Sequence, residues 1–147
     1  MKDLNIPLRD IARELARRFS TMSHDELAVL ESVLVPMKFV KGEKILCSGQ
    51  CSKYIYYVHQ GLVRQYYFKN GKEMTNFLGV DGSVIMSIES LFRETPSQET
   101  IEALEPCYIY ALPKKRLAEV ALHNQNIQIL YRKILEEALI ESQIHAD

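Results

Sequence analysis

All six glycines of the chain, Gly42, Gly49, Gly61, Gly71, Gly79 and Gly82, fall within residues 39–82. Short runs of Tyr, Ile, Val, Phe and Leu lie between them. Aromatic and β-branched residues suit a pleated surface, and glycine supplies the positive φ that turns between strands require. Strands recurring about every ten residues, each closed by a turn residue, predict a small β-roll, that is, a sandwich or barrel. The strongest local signal is Asn70-Gly71 between residues 62–69 and 72–78, which predicts a two-residue hairpin of type I′. Further strands are expected around Met37, Phe39 and Ile45, with Lys41-Gly42-Glu43 as their turn, and at residues 54–59, 84–85, 100–104 and 107–112. Glu105-Pro106 breaks the last two.

Helical spacing flanks this region. Ile6, Leu8, Ile11, Leu15 and Phe19 predict an amphipathic helix over residues 8–19. Arg9, Arg13, Arg17 and Arg18 alternate there with Asp10 and Glu14, the pattern of a solvated face rather than a polyanion site. Ser23 with Glu26 makes a capping box for a second helix carrying Leu27, Leu30, Val33 and Leu34, which Pro36 ends. Ser87 is the expected cap of one short helical turn through Phe92, and residues 93–98 read as a polar loop. Leu117, Val120, Ala121 and Leu122 predict a short helix, and from Asn124 or Asn126 a long one runs through Ile144. Ile127, Leu130, Tyr131, Ile134, Leu135, Ala138 and Glu141 recur there at close to seven residues, while Ile129, Leu139, Ile140 and Ile144 widen the apolar surface. A helix apolar on more than one side needs partners on both, here its own domain and a second copy of the chain. Ile127, Leu130, Tyr131, Ile134, Ala138 and Glu141 are the residues expected to pair a homodimer.

At 147 residues the chain is one domain, with helices over about 8–35, a β-roll over about 36–112 and helices over about 114–145. Its formal charge of −1 leaves no electrostatic footprint for nucleic acid. It contains no long apolar run and no signal-peptide pattern, so no membrane partner is expected and the cytoplasm is the expected location. Cys47, Cys51 and Cys107 are an odd number with no Cys-x2-Cys pair, which argues against a disulfide framework or a metal cluster. His24, His59, His123 and His145 are isolated, and only His59 lies on a predicted strand, so a metal-dependent cupin enzyme is not expected. No catalytic residue, metal or cofactor is assigned. The Tyr54, Tyr56, Tyr57, Tyr66 and Tyr67 cluster reads as core and rim packing rather than a base-stacking platform.

Phe39-x-Lys41-Gly42-Glu43, Ile55-Tyr56-Tyr57-Val58 followed by Gly61-x-Val63-Arg64, and Gly71-Lys72-Glu73-Met74 resemble the sensor domain of Crp/Fnr-type transcription regulators. Gly82 with Leu91-Phe92, Ile101-x-Ala103-Leu104-Glu105 and the long last helix extend that resemblance over nearly the whole chain. It implies a double-stranded β-helix (jelly roll) with N-terminal helices, a flat ligand pocket capped by a short helix, and a long C-terminal helix that pairs two subunits. In such regulators a winged helix-turn-helix follows and reads DNA. Here the sequence stops at Asp147, so DNA is expected to be met only through a domain absent from this chain.

Members that bind cyclic AMP place Gly-Glu before the short helix and an Arg followed by Ser or Thr after the loop. Helix amides and the guanidinium fork then hold the cyclic phosphate. In this chain the first segment gives Met86-Ser87 or Ser87-Ile88, according to register, with Glu89 next to it. At the second, Glu99 falls at the arginine position and Thr100 at the Ser/Thr position. Ser87, Ile88, Glu89, Glu99 and Thr100 are therefore the pocket residues that the resemblance implies. Cyclic AMP is disfavoured, and a different small-molecule effector is expected. The alternatives are a ligand-independent dimerisation module and a stand-alone cyclic-nucleotide-binding protein.

Overall fold

A computed structural model describes residues 6–144, without the side chain of Ile144. That side chain and His145 lie outside the described residues. Two helices open the chain, α1 (Leu8–Phe19) and α2 (His24–Val33). Eight strands follow: β1 (Val35–Phe39), β2 (Lys44–Leu46), β3 (Tyr54–Gln60), β4 (Val63–Lys69), β5 (Lys72–Gly79), β6 (Val84–Ile85), β7 (Thr100–Ala103) and β8 (Cys107–Pro113). A short helix, α3 (Ile88–Arg93), interrupts them between β6 and β7, and α4 (Lys114–Ala121) and α5 (Gln125–Ile144) close the chain.

The strands form two antiparallel four-stranded sheets, ordered β1-β8-β3-β6 and β2-β7-β4-β5. This is the jelly roll expected from the sequence. Asn70 (φ 53°) and Gly71 (φ 77°) both sit at positive φ between the paired Lys69 and Lys72, as a type I′ turn demands. Lys41-Gly42-Glu43 forms the expected turn, closed by the Glu43 N–H on the Val40 carbonyl at 3.1 Å, and it carries the chain from β1 in one sheet to β2 in the other. The helix α2 stops short of Pro36, as the sequence predicts, with Leu34 already extended. Val33 is the last helical residue, and Pro36 pairs with Tyr110 on β1, an edge strand, where a proline can sit without a missing ladder bond.

Two apolar clusters result. Inside the roll, Leu46, Tyr56, Val58, Val63, Ile85, Ile101, Ala103, Cys107, Ile109 and Ala111 pack between the sheets. Outside it, Ile55, Tyr57, Tyr110 and Leu112 meet Ile11, Leu15, Leu30, Leu117, Ile127, Leu130 and Ile134 from the helices. Successive residues of β3 and β8 thus face opposite cores, which explains why both strands read as unbroken apolar runs.

The capping box at α2 forms as predicted. Ser23 Oγ accepts from Glu26 N, and Glu26 Oε1 accepts from Ser23 N. Glu26 also reaches Asn126 on α5, taking a bond from its side-chain nitrogen at 2.9 Å and one from its backbone N–H at 3.2 Å. These bonds, the Asn126 side chain first, hold the Glu26 carboxyl below its ordinary value. A lowered folded-state value means stability that is present above the unfolded value and lost as pH falls through the folded one. Ser23→Ala is therefore expected to cost about 1 kcal/mol near neutral pH. Glu26→Gln should flatten the rise of stability with pH across the carboxylate range, as checked by denaturant titrations at several pH values. An unchanged pH profile would mean that Glu26 does not tie α2 to α5.

Candidate functional site

The site is built where β5, β6, α3 and the end of α5 converge on the loop before β7. Ser87 stands at the position preceding α3, yet its side chain does not cap that helix. Instead Ser87 Oγ lies 2.9 Å from Ser97 Oγ and donates to Glu99 Oε1 at 3.1 Å. Asn76 Nδ2, from β5, donates to Glu99 Oε2 at 2.7 Å. Ser97 Oγ in turn accepts from the Glu99 backbone N–H. The Glu99 carboxylate is thus held by two donors, Asn76 on β5 and Ser87 in the segment between β6 and α3.

Two adjoining depressions, of about 180 and 270 Å³, share Asn76, Glu89 and Glu99 in their walls. Ile88 lines the first, and Ser87 the second. Four of the five expected pocket residues are therefore brought together. Thr100 is not among the lining residues; its Oγ1 accepts from the Ser48 backbone N–H at 3.1 Å and braces the corner between β2 and β7. Met86, Gln65 and Phe77 complete the inner wall, with Gln65 Nε2 donating to the Met86 carbonyl. None of the described residues lining either depression is Lys or Arg.

The last third of α5 closes the first depression through Ala138, Glu141 and Ser142. Ala138 and Glu141 were expected to face a second copy, and here they border the pocket of their own chain. Ile127, Leu130 and Ile134 are a clearer correction. Each is 0% exposed within one copy, packed beneath α1, α2 and α4, because α5 lies across the helical layer instead of standing clear of it. Tyr131 is half-buried at the edge of the same cluster. The apolar residues of α5 that do face solvent are Leu139 (57% exposed) and Ile140 (61%).

Residues 36–124 match the family model of the cyclic nucleotide-binding domain. The chain belongs to the cyclic nucleotide-binding domain family. Solved structures agree on the fold of this cyclic nucleotide-binding domain. A cyclic nucleotide-binding domain from Methylobacillus flagellatus superposes with a TM-score of 0.75 at 16% identity, over 92% of this chain and 82% of that one. The sensor domain of the transcriptional regulator DNR from Pseudomonas aeruginosa gives 0.72 at 17%, over 97% of both chains. The Thermus thermophilus catabolite activator protein gives 0.70 at 20%, over 88% of this chain, which spans 60% of that protein's length. No curated protein matches the chain in sequence.

Within this cyclic nucleotide-binding domain, the sequence alone missed Asn76, Gln65 and the contribution of α5. Asn76 comes to Glu99 only through the register of β5 on β4, which shifts between Gln65 and Tyr66. A bulge of that kind re-aims one side chain and leaves no compositional trace. The tyrosines of β3 and β4 behave as packing residues: Tyr56, Tyr57 and Tyr66 are buried. Tyr57 donates to Glu14 of α1 at 2.8 Å, and burial pushes the Tyr56 hydroxyl up to about 12. Cys47, Cys51 and Cys107 are free thiols, and no group of three metal-ligating side chains occurs among the described residues.

Proposed function

We propose that this chain is the effector-sensing and dimerisation domain of a Crp/Fnr-like bacterial transcription regulator, working in the cytoplasm, and that its effector is not a cyclic nucleotide. The observation that carries the second half is the Glu99 carboxylate, oriented by Asn76 and Ser87 at the pocket both depressions share. Glu89 and Glu141 add two more carboxylates to the walls. Two like charges 4 Å apart repel by about 1 kcal/mol in water and about 4 kcal/mol at the effective dielectric of a protein surface. A phosphodiester placed there meets that repulsion with no guanidinium to offset it. An uncharged or cationic molecule, presenting hydrogen-bond donors to Glu99, fits the same walls.

Support for sensing comes from the position of α5. Its N-terminal half is locked into the helical core, whereas Ala138, Glu141 and Ser142 border the pocket. An occupant that packs better against one placement of that end shifts the helix by its difference in affinity for the two arrangements. Leu139 and Ile140, exposed on the same stretch, offer the surface for a second copy, and any DNA contact belongs to a domain beyond this one. No catalytic role is assigned.

Thermal-shift titration tests the reading. Cyclic AMP and cyclic GMP are expected to leave the melting temperature flat, while a panel of small amines and uncharged polar metabolites contains compounds that raise it in proportion to concentration. Stabilisation by micromolar cyclic AMP would overturn the argument from Glu99. Flat curves across the whole panel would favour a ligand-independent module.

A further inference from the structure

The two depressions beside α3 are walled by acceptors. Glu89 and Glu99 line both, and the Ser87 and Asn76 donors are already engaged with Glu99. Glu89 is exposed, and a carboxylate in the open attracts a cation only weakly. Gln65 is what lifts the site above a group of surface charges. It is 5% exposed, lies on the inner wall of the first depression, and donates its amide N–H to the Met86 carbonyl at 3.1 Å. No described residue donates to its amide oxygen. The sealed, unpaired side-chain atoms among the described residues are Ser52 Oγ and Asn76 Oδ1, so the Gln65 oxygen is not sealed and opens on the depression. Buried polar groups are nearly always paired, so an acceptor held open at this depth calls for a donor from an occupant.

The rest of the wall indicates what carries that donor. Ile85, Met86 and Ile88 give the first depression an apolar surface, and Tyr67 gives the second an aromatic one. We infer that the pocket takes a small organic cation, an amidinium, guanidinium or ammonium group on a short apolar body. Its N–H groups are shared between the Glu99 carboxylate and the Gln65 amide oxygen, and its body lies against Ile85, Met86 and Ile88. Glu99 suits a planar cation, because Ser87 and Asn76 hold it in place and a fixed carboxylate accepts two parallel N–H bonds from one fork. An aromatic wall such as Tyr67 favours a cation too. The depressions measure about 180 and 270 Å³, below the range of about 300–1,000 Å³ common for drug-sized ligands, so the occupant is compact. This inference rests on the reading of Glu99 under the proposed function and narrows it, since positive charge is now required and hydrogen-bond donors alone do not suffice.

Benzamidine is the probe, with benzamide as its uncharged counterpart and benzoate as an anion of the same shape. Thermal shift and isothermal titration on the full chain are run at physiological salt, where attraction to scattered surface carboxylates is screened. Benzamidine is expected to raise the melting temperature with concentration, benzamide to give a much smaller shift, and benzoate none. Glu99→Gln should weaken benzamidine at least about tenfold and leave benzamide nearly unchanged, the mark of losing charge-assisted bonds. Glu89→Gln, at an exposed position, should weaken benzamidine severalfold without altering the melting temperature of the unliganded chain, and it serves where Glu99→Gln does not fold. Equal shifts from benzamidine and benzamide, stabilisation by benzoate, or benzamidine affinity unchanged in either variant would each overturn the requirement for a cation, as would no response to benzamidine. Any of these results leaves an uncharged effector at Glu99 standing. Stabilisation by cyclic AMP is the separate result that removes the parent reading itself.

Discussion

Ile134→Ala is expected to lower the unfolding free energy by about 2–5 kcal/mol, the cost of a cavity in a packed interior, without changing the mass of the folded species. The reason is position. Ile134 is 0% exposed and belongs to the cluster joining α5 to α1, α2 and α4. An aspartate at the same place would bury an unpaired charge and leave little folded protein. The contrast is with Leu139→Asp and Ile140→Asp, at 57% and 61% exposure, which should leave the melting temperature nearly unchanged and reduce self-association. Urea titration and light scattering on the same samples separate the two behaviours. Full stability with a halved mass in Ile134→Ala would place that residue at an interface between copies.

Gly61→Ala should be at least as damaging. Gly61 links β3 to β4 at φ +134°, a region that residues with a Cβ rarely occupy. A Cβ there would stand 2.5 Å from Cys107 Sγ and 2.9 Å from Cys107 Cα. Cys107 is fully buried in the roll and begins β8, so the backbone atom has no room to retreat. Strain of about 1–3 kcal/mol adds to overpacking of about 1–3 kcal/mol. Loss of roughly 3 kcal/mol or more in chemical denaturation is the expected outcome. Gly71→Ala, also at positive φ but with open space around its Cβ, is the milder control. Equal losses at the two positions would show that crowding by Cys107 contributes nothing.

Most of the fold was written in local signals. Asn70-Gly71 and the Ser23–Glu26 box each specify their own geometry within a few residues, and both appear in the structure. What could not be read is which face of a long apolar helix is turned inward. Ile127, Leu130 and Ile134 carry the same heptad spacing whether they meet a second copy or the helices of their own chain, because the spacing records a stripe and not its partner. The pocket was half legible for a related reason. Ser87, Ile88, Glu89 and Glu99 are near one another in sequence and stay together in space, whereas Asn76 and Ser142 reach the site through sheet register and helix placement.

The polar groups facing the pocket, Gln65, Asn76, Ser87, Glu89, Glu99, Glu141 and Ser142, are absent from both apolar clusters. Val84, Ile85 and Met86 belong both to those clusters and to the wall of the first depression, so the polar rim stands directly on the packed interior. Exchanging Glu89 or Glu141 on that rim for glutamine would change the charge of the pocket and leave the apolar residues beneath it in place.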